Sequence, residues 1–458
     1  MAASRRTLSP HGPRSRATGH GPRVSGHRAP GGAGLYALNI WWLSLSCGGP
    51  VISIEELLLR IEGITLWDGQ RDLGPSLVEW EGDKLTKVER APDRLRPKLC
   101  VVPGLVDTHV HLVGHAGPGP ADFFTWPLTT TREEQVLHGL AHAQRALRRG
   151  VTTLRDLAGD EAQIALRRAF DQSLVDGPRL VVHCVVGMTA GHCDLFTPPA
   201  VAQRRPTADG ADECRRLVRT WARAGADGIK ITTSGGVLSM GDRSEWRNYT
   251  RAEVQAIVDE AHALALPVAA HAHSAAGIQV ALDEGVDSIE HGTLMTADQA
   301  RQAAAQGTTV APTLLINEAI AGGSVPVTPE ARQKAALLVA ERDRLLRDAA
   351  GLGVRFVLGT DANGHHVAFG DQMAEVRRMG EVLGLSPEQA LQAATSQAAA
   401  VVGLGAVVGT IAPGFGADLL VMRGRPWLDA GDLRTDQLVA VISRGRLVAG
   451  ALPGILGP

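Results

Sequence analysis

After residue 103 the chain alternates between two textures: eight short runs rich in apolar and β-branched residues, separated by polar-and-apolar stretches of helical length. The runs are "LVDTHVHL", "VTTLRDL", "RLVVHCVV", "GIKITT", "VAAHAH", "SIEHG", "TTVAPT" and "RFVLGTD". Helices are expected between them over 135–149, 161–172, 211–223, 251–264, 276–284, 297–306 and 330–350. A parallel neighbour can be reached only by a crossover of a dozen or more residues, so strands alternating with helices build a parallel sheet. Eight such units over roughly 250 residues predict an α/β fold, a closed (β/α)8 TIM-like barrel.

The flanks have another texture. "LLLRIEGITLWDGQRDLGPSLVEWEGDKLTKVE" breaks into short β-rich runs at Asp-Gly and Gly-Asp, as hairpins do. "GTIAPGFGADLLVMRG" and "QLVAVISRGRLVAG" return to it near the other end. Residues 51–102 plus 410–458 are therefore expected to form a small β-sandwich domain beside a barrel of residues 103–409.

Residues 1–50 hold six arginines and no Asp, Glu or Lys, in a setting rich in Gly, Pro and Ser. Few apolar groups are available there to offset ordering entropy, so a disordered extension is expected. Arg5-Arg6 ahead of "LYALNIWWLSLSCGG" superficially resembles an export signal, but the apolar segment starts some thirty residues late and contains Asn39. An upstream extension of the reading frame is the preferred reading. The rest of the chain carries 40 basic against 48 acidic residues, and an acidic body gives no reason to expect nucleic acid as partner. No apolar stretch approaches the roughly 20 residues of a spanning helix, so no membrane segment is expected. Five cysteines, Cys47, Cys100, Cys184, Cys193 and Cys214, are odd in number and lack zinc-knuckle spacing. That fits reduced thiols and a cytoplasmic location.

Barrel enzymes place their chemistry at the carboxyl ends of the strands. His109 and His111 end the first run; one residue apart in a strand, they share a face and can converge on a metal ion. Histidines satisfied at a strand edge are the competing reading. Lys230 lies in the fourth run, His271 ends the fifth, His291 the sixth and Asp361 the eighth. All but lysine are usual metal ligands. Lysine among cations loses its proton readily, and the neutral amine can take up carbon dioxide to become a carbamate, an anionic bridge between two metals. A salt bridge from Lys230 to a barrel carboxylate is the alternative.

In this order "DTHVHL", "GIKI", "AAHAH", "IEHG" and "GTDA", followed by "GTIAPGFGADLLV", the chain resembles the amidohydrolase superfamily of metal-dependent hydrolases over about residues 52–450. "GGVLS", "NYT", "IVDEAHALALPVAAHAH" and "GVDSIEHGT" are most similar to its Xaa-Pro dipeptidase and imidazolonepropionase-like branch. The resemblance implies that His109, His111 and Asp361 hold one divalent metal and His271 and His291 a second, with carboxylated Lys230 bridging them. Zinc is expected from the ligand types, although manganese or cobalt would fit a mixed His and carboxylate set. Asp361 would carry a proton from the attacking water to the departing nitrogen. His273 would support the ligands or pack beside them.

The resemblance further suggests that His192, Arg155 and Tyr249 hold carbonyl and carboxylate groups of a small-molecule substrate, a dipeptide or N-acyl amino acid. For Arg155 a buried pair with Asp156 competes. The sequence departs from the family pattern in "HAHS", where Gly is usual, and in a shortened "TDANGHHVAFG". Cyclic amide, lactone or phosphotriester hydrolysis would use the same centre. A mononuclear deaminase would lack the bridging lysine, and a non-catalytic scaffold would lack ligands. A homo-oligomer is compatible with the sequence but not specified by it.

Overall fold

Strands buried on both faces do not need to alternate polar with apolar residues, and this is how the barrel strands differ from the flanking ones. The computed structural model describes residues 59–91, 98–119, 121–370 and 372–452. The extension expected over residues 1–50, with Cys47, lies outside the described residues.

The flanking strands are β1 (Leu59–Trp67), β2 (Asp72–Glu81), β3 (Lys84–Arg90) and β4 (Leu99–Pro103), joined late in the chain by β13 (Leu419–Arg423), β14 (Leu438–Ser443) and β15 (Arg446–Gly450). They make one continuous seven-stranded sheet in the order β15-β14-β13-β4-β1-β2-β3. β4 joins the two chain ends, running parallel to β1 and antiparallel to β13. The sheet curls: Trp80 Nε1, on β2, donates to the carbonyl of Gly445 in the β14–β15 turn at 2.9 Å. Ile64, Leu66, Val78, Trp80, Leu419, Val421 and Ile442 share the apolar core that results.

The barrel strands are β5 (Leu105–Val110), β6 (Val151–Gly159), β7 (Arg179–Val185), β8 (Gly228–Thr232), β9 (Val268–Ala272), β10 (Ser288–His291), β11 (Thr309–Ala311) and β12 (Arg355–Phe356). Each pairs in parallel with the next. The stretch after β12 returns to β5: Thr108 N donates to Leu358 O at 2.9 Å, Asp361 N to His109 O and His111 N to Ala362 O, both at 2.8 Å. The first and last strands thus close the curled sheet into a TIM-like barrel. Gly359 permits that approach, because a Cβ there would stand 2.7 Å from Ala311 Cβ and 3.0 Å from His109 Cβ.

The helices are α1 (Trp126–Thr129), α2 (Arg132–Arg148), α3 (Glu161–Asp171), α4 (Ala211–Ala224), α5 (Arg251–Ala263), α6 (Ala275–Asp283), α7 (Ala297–Gln306), α8 (Leu314–Gly322), α9 (Pro329–Gly351), α10 (Gln372–Leu383), α11 (Pro387–Ala393) and α12 (Ser396–Val401). All seven expected helices are present. Capping boxes start α2, α3, α5 and α7, through Thr131, Asp160, Thr250 and Thr296. The sequence reading placed no helix at α8 or over α10–α12. "LLINEAIAG" is too uniformly apolar to show a helical face, and Leu314, Ile316 and Ile320 are indeed buried.

Outward-facing residues such as Leu154, Val182, Ile229, Ala270 and Ile289 belong to the large core shared with the helices. The interior is layered. Val106, Val181, Ala311 and Val357 cluster with Ala398 and Ala399 of α12 in an apolar plug. Beyond it the interior is polar, holding Arg155, His183, Lys230, Ser288 and Glu290, all buried. Among the described residues no helix is long and apolar enough to cross a membrane.

Candidate active site

Strand alternation brings His109, Lys230 and His271 to the barrel interior, and the backbone at the strand ends does the rest. Ile289 faces outward, so alternation alone would turn His291 outward too. His291 instead has φ +70°, and Asp361 has φ +57°. Both are left-handed conformations that cost a non-glycine residue about 1–2 kcal/mol. They turn the two side chains toward the others: the His291 ring lies 5.2 Å from that of His109 and 4.6 Å from that of His271. His111 Nε2 is 2.8 Å from Asp361 Oδ1, and His109 Nε2 is 3.7 Å from the same oxygen. His109, His291 and Asp361 offer ligand atoms within 4.8 Å of one another, and so do His271, His273 and His291.

The electrostatics suit a cation. Burial, reinforced by the neighbouring imidazoles and Lys230, holds His271 and His291 well below the ordinary histidine range. Burial brings His109 down to about 4 and His273 to about 3. A metal ligand must be a neutral imidazole, and these are neutral at pH 7. Burial alone would raise the Asp361 carboxyl, but His109 and His111 beside it hold it down to about 2. Asp361 is therefore ionised.

Lys230 tests whether these residues fit a metal. Its side chain is 4% exposed, and its Nζ has no hydrogen-bond partner among the described residues. Burial lowers its pKa. A buried ammonium without a paired carboxylate is strongly unfavourable, so the salt-bridge alternative lacks its partner. An unpartnered buried amine beside four imidazoles and a carboxylate is placed where, as a carbamate, it would fit divalent cations. The donor set fits.

Around this group stand residues that sequence reasoning passed over. Glu290 Oε2 lies 2.8 Å from His109 Nδ1, while Arg155 Nη2 donates to Glu290 Oε1 at 2.8 Å. Burial opposes the charge on Glu290, but Arg155 and His109 keep it ionised. His291 Nδ1 meets Thr313 Oγ1 at 2.6 Å and His273 Nδ1 meets Thr293 Oγ1 at 2.8 Å, which fixes both rings. Asp107 accepts from Thr360 Oγ1 at 2.6 Å and from His109 N at 3.1 Å, tying β5 to the Asp361 loop. Asp107 had a readable signal, two residues before His109 on the same face. Thr313 had none, because it is 22 residues from His291.

The three expected substrate-binding residues divide. His192 is at the mouth, stacked on His271 at 4.4 Å. Its Nδ1 is 2.6 Å from Ser239 Oγ, which donates at 2.6 Å to Asp242, itself bound at 2.7 Å by Lys334 of α9. Arg155 is inside the barrel with its donors engaged by Thr108 O, Ser288 Oγ and Glu290, so it orients Glu290 rather than facing a substrate. Nor does it pair with Asp156, whose carboxylate accepts from Leu112 N and Ala158 N. Tyr249 is 1% exposed and donates its hydroxyl to Val186 O, which likewise withdraws it from a substrate.

Residues 100–448 match the amidohydrolase family. The chain is 30% identical over 408 residues to an ochratoxinase of Aspergillus niger, covering 84% of this chain and 82% of that one. It is 28% identical over 410 residues to an imidazolonepropionase of Salinispora tropica, with 82% and 87% covered. Its structure is similar to that of a Xaa-Pro dipeptidase with bound methionine in the active site, at a TM-score of 0.76 and 30% identity over 85% of this chain and 98% of the other.

Proposed function

The chain belongs to the amidohydrolase family and is thus a hydrolase, and from that premise we propose that it cleaves C–N bonds of dipeptides or N-acyl amino acids with two divalent metal ions. His109, His111 and Asp361 would hold one ion, His271 and His291 the other, and Lys230, as its carbamate, both. Zinc suits these ligand types. When bound, two such cations would supply Lewis acidity, which would bring a water pKa toward ~7 and polarise the scissile carbonyl. Asp361, ionised and touching His111, takes the proton of the attacking water and gives it to the leaving nitrogen. Glu290 keeps the His109 ring oriented, and Arg155 keeps Glu290 in place. His192, braced by Ser239 and Asp242, holds a polar group of the substrate at the mouth.

The observation that carries this reading is the convergence of four imidazoles, one carboxylate and one unpartnered buried lysine at the ends of five strands. Four described cysteines are free, three of them buried, which supports a reduced, cytoplasmic protein. We take the curled sheet as the core of a small β-sandwich domain, to which residues 51–102 with 410–458 are assigned, and residues 103–409 as the catalytic barrel. Elemental analysis together with hydrolysis of a dipeptide and N-acyl amino acid panel tests the function. About two metal equivalents per chain and cleavage of members of the panel are expected; one equivalent or fewer, or no turnover by metal-loaded protein, would refute it.

A further inference from the structure

The loops at the barrel mouth gather rings that the scheme above leaves unused. Phe123, in the loop after β5, meets Phe124 edge-to-face at 5.2 Å and Phe196, in the loop after β7, at 5.7 Å. It also meets His365 and His366, in the loop after β12, at 5.4 and 5.0 Å. Phe196 stands 4.9 Å from His192, which stacks on His271. A continuous run of rings therefore leads from the loop tips to the metal-ligand group.

These rings are incompletely covered. The chain has only seven phenylalanines, and three of them, Phe123, Phe124 and Phe196, sit half-buried in this one place. Rings that merely held three loops together would lose less by burying themselves fully. A second sign is polar. His366 is 8% exposed, yet its Nδ1 has no hydrogen-bond partner among the described residues. With Val367, with Leu315, Glu318 and Ala319 of α8, and with Ser324 it lines a depression of about 370 Å³ beside the rings, the size of a small-molecule subsite rather than of a protein interface.

We infer that this ring group is the side-chain subsite of the enzyme, and that its preferred amide substrate carries an aromatic group within a few bonds of the scissile C–N bond. The inference rests on the amide-hydrolase reading above and narrows it. Edges and faces of half-buried rings are complementary to a further ring in a way they are not to a methyl group, and preferences of this kind amount to tenfold or more in kcat/KM.

The test uses the metal-loaded full-length protein and the dipeptides Phe-Ala, Ala-Phe, Leu-Ala, Ala-Leu and Ala-Ala. At least one aromatic dipeptide should exceed Ala-Ala tenfold in kcat/KM and exceed its leucyl counterpart. Phe123→Ala and Phe196→Ala should each shrink the aromatic-to-alanyl ratio through KM, and Phe123→Tyr should retain it. Equal rates for aromatic and alanyl dipeptides, or a ratio that none of these variants moves, would overturn the inference. A second measurement is independent of turnover: saturation-transfer NMR with N-acetyl-L-phenylalaninamide and N-acetyl-L-alaninamide. Transfer to the ring protons that Phe123→Ala abolishes is expected. Failure to cleave any dipeptide, with that transfer intact, would refute the amide-hydrolase reading and spare the ring subsite; equal or no transfer to the two amides would refute the ring subsite itself.

Discussion

The barrel and the terminal sheet bury strands by opposite means. The terminal sheet closes over aliphatic side chains and Trp80, whose indole N–H finds a carbonyl. The barrel lines its own interior with Arg155, Glu290, His183 and Lys230 and bends its strand ends into left-handed backbone at His291, Thr313 and Asp361. Each such choice costs stability on its own. One chain thus holds a region organised to be stable and a region organised to hold unfavourable groups in place.

Acid should break this comparison most severely. Burial depresses seven interior imidazoles, to about 4 for His109, His142 and His366, about 3 for His273, and further for His183, His271 and His291. Burial raises two carboxyls, Asp107 to about 7 and Glu375 to about 8. Between pH 6.5 and 4 the unfolded chain gains more protons from the imidazoles than the folded chain retains on the two carboxyls. Stability must then fall as pH falls. Metal-free protein monitored by circular dichroism should unfold within that window, and a flat stability profile from pH 7 to 4 would contradict the burial of neutral imidazoles.

Asp361→Asn sharpens the contrast next. The amide keeps the shape but cannot take the proton, so turnover should fall about 10²–10⁴-fold or more while the melting temperature changes little. A rate within tenfold of the parent would move the base to another residue. Arg155→Met should leave the buried Glu290 carboxylate without its guanidinium partner, at a cost of about 3–5 kcal/mol in denaturant unfolding, and should weaken metal binding about 10–100-fold. Leu419→Ala, in the terminal sheet, should cost about 2–5 kcal/mol with no change in turnover per folded molecule. If Leu419→Ala altered metal content, the two regions would not be separable in function.

The barrel was legible because parallel strands and crossover helices leave a period in the chain, and the convergence of His109, His291 and Asp361 because they sit where that period ends. What escaped depends on direction. Arg155 and Tyr249 have the side chains that recognise substrates, but nothing in the sequence tells that Glu290 and the Val186 carbonyl occupy their donors. Glu290 was overlooked as the neighbour of a stronger signal, since alternation sets it on the face opposite to His291 until the left-handed turn reunites them. α8 was unreadable because Leu314, Leu315, Ile316, Ala319, Ile320 and Ala321 spread apolar side chains around the helix and leave no clear polar face to reveal its period.

The closure of the barrel has a consequence in time. His109 and His111 come from its first strand and Asp361 from the stretch after its last, and the hydrogen bonds that close the barrel join these same segments. During synthesis these two histidines emerge some 250 residues before Asp361. A nascent or truncated chain can therefore present histidines, the His271, His273 and His291 group among them, but not the full set of side chains that converges in the finished barrel. The complete group of side chains then marks a finished molecule, and chains that stall before residue 361 should lack the closure of the barrel and stay open to degradation.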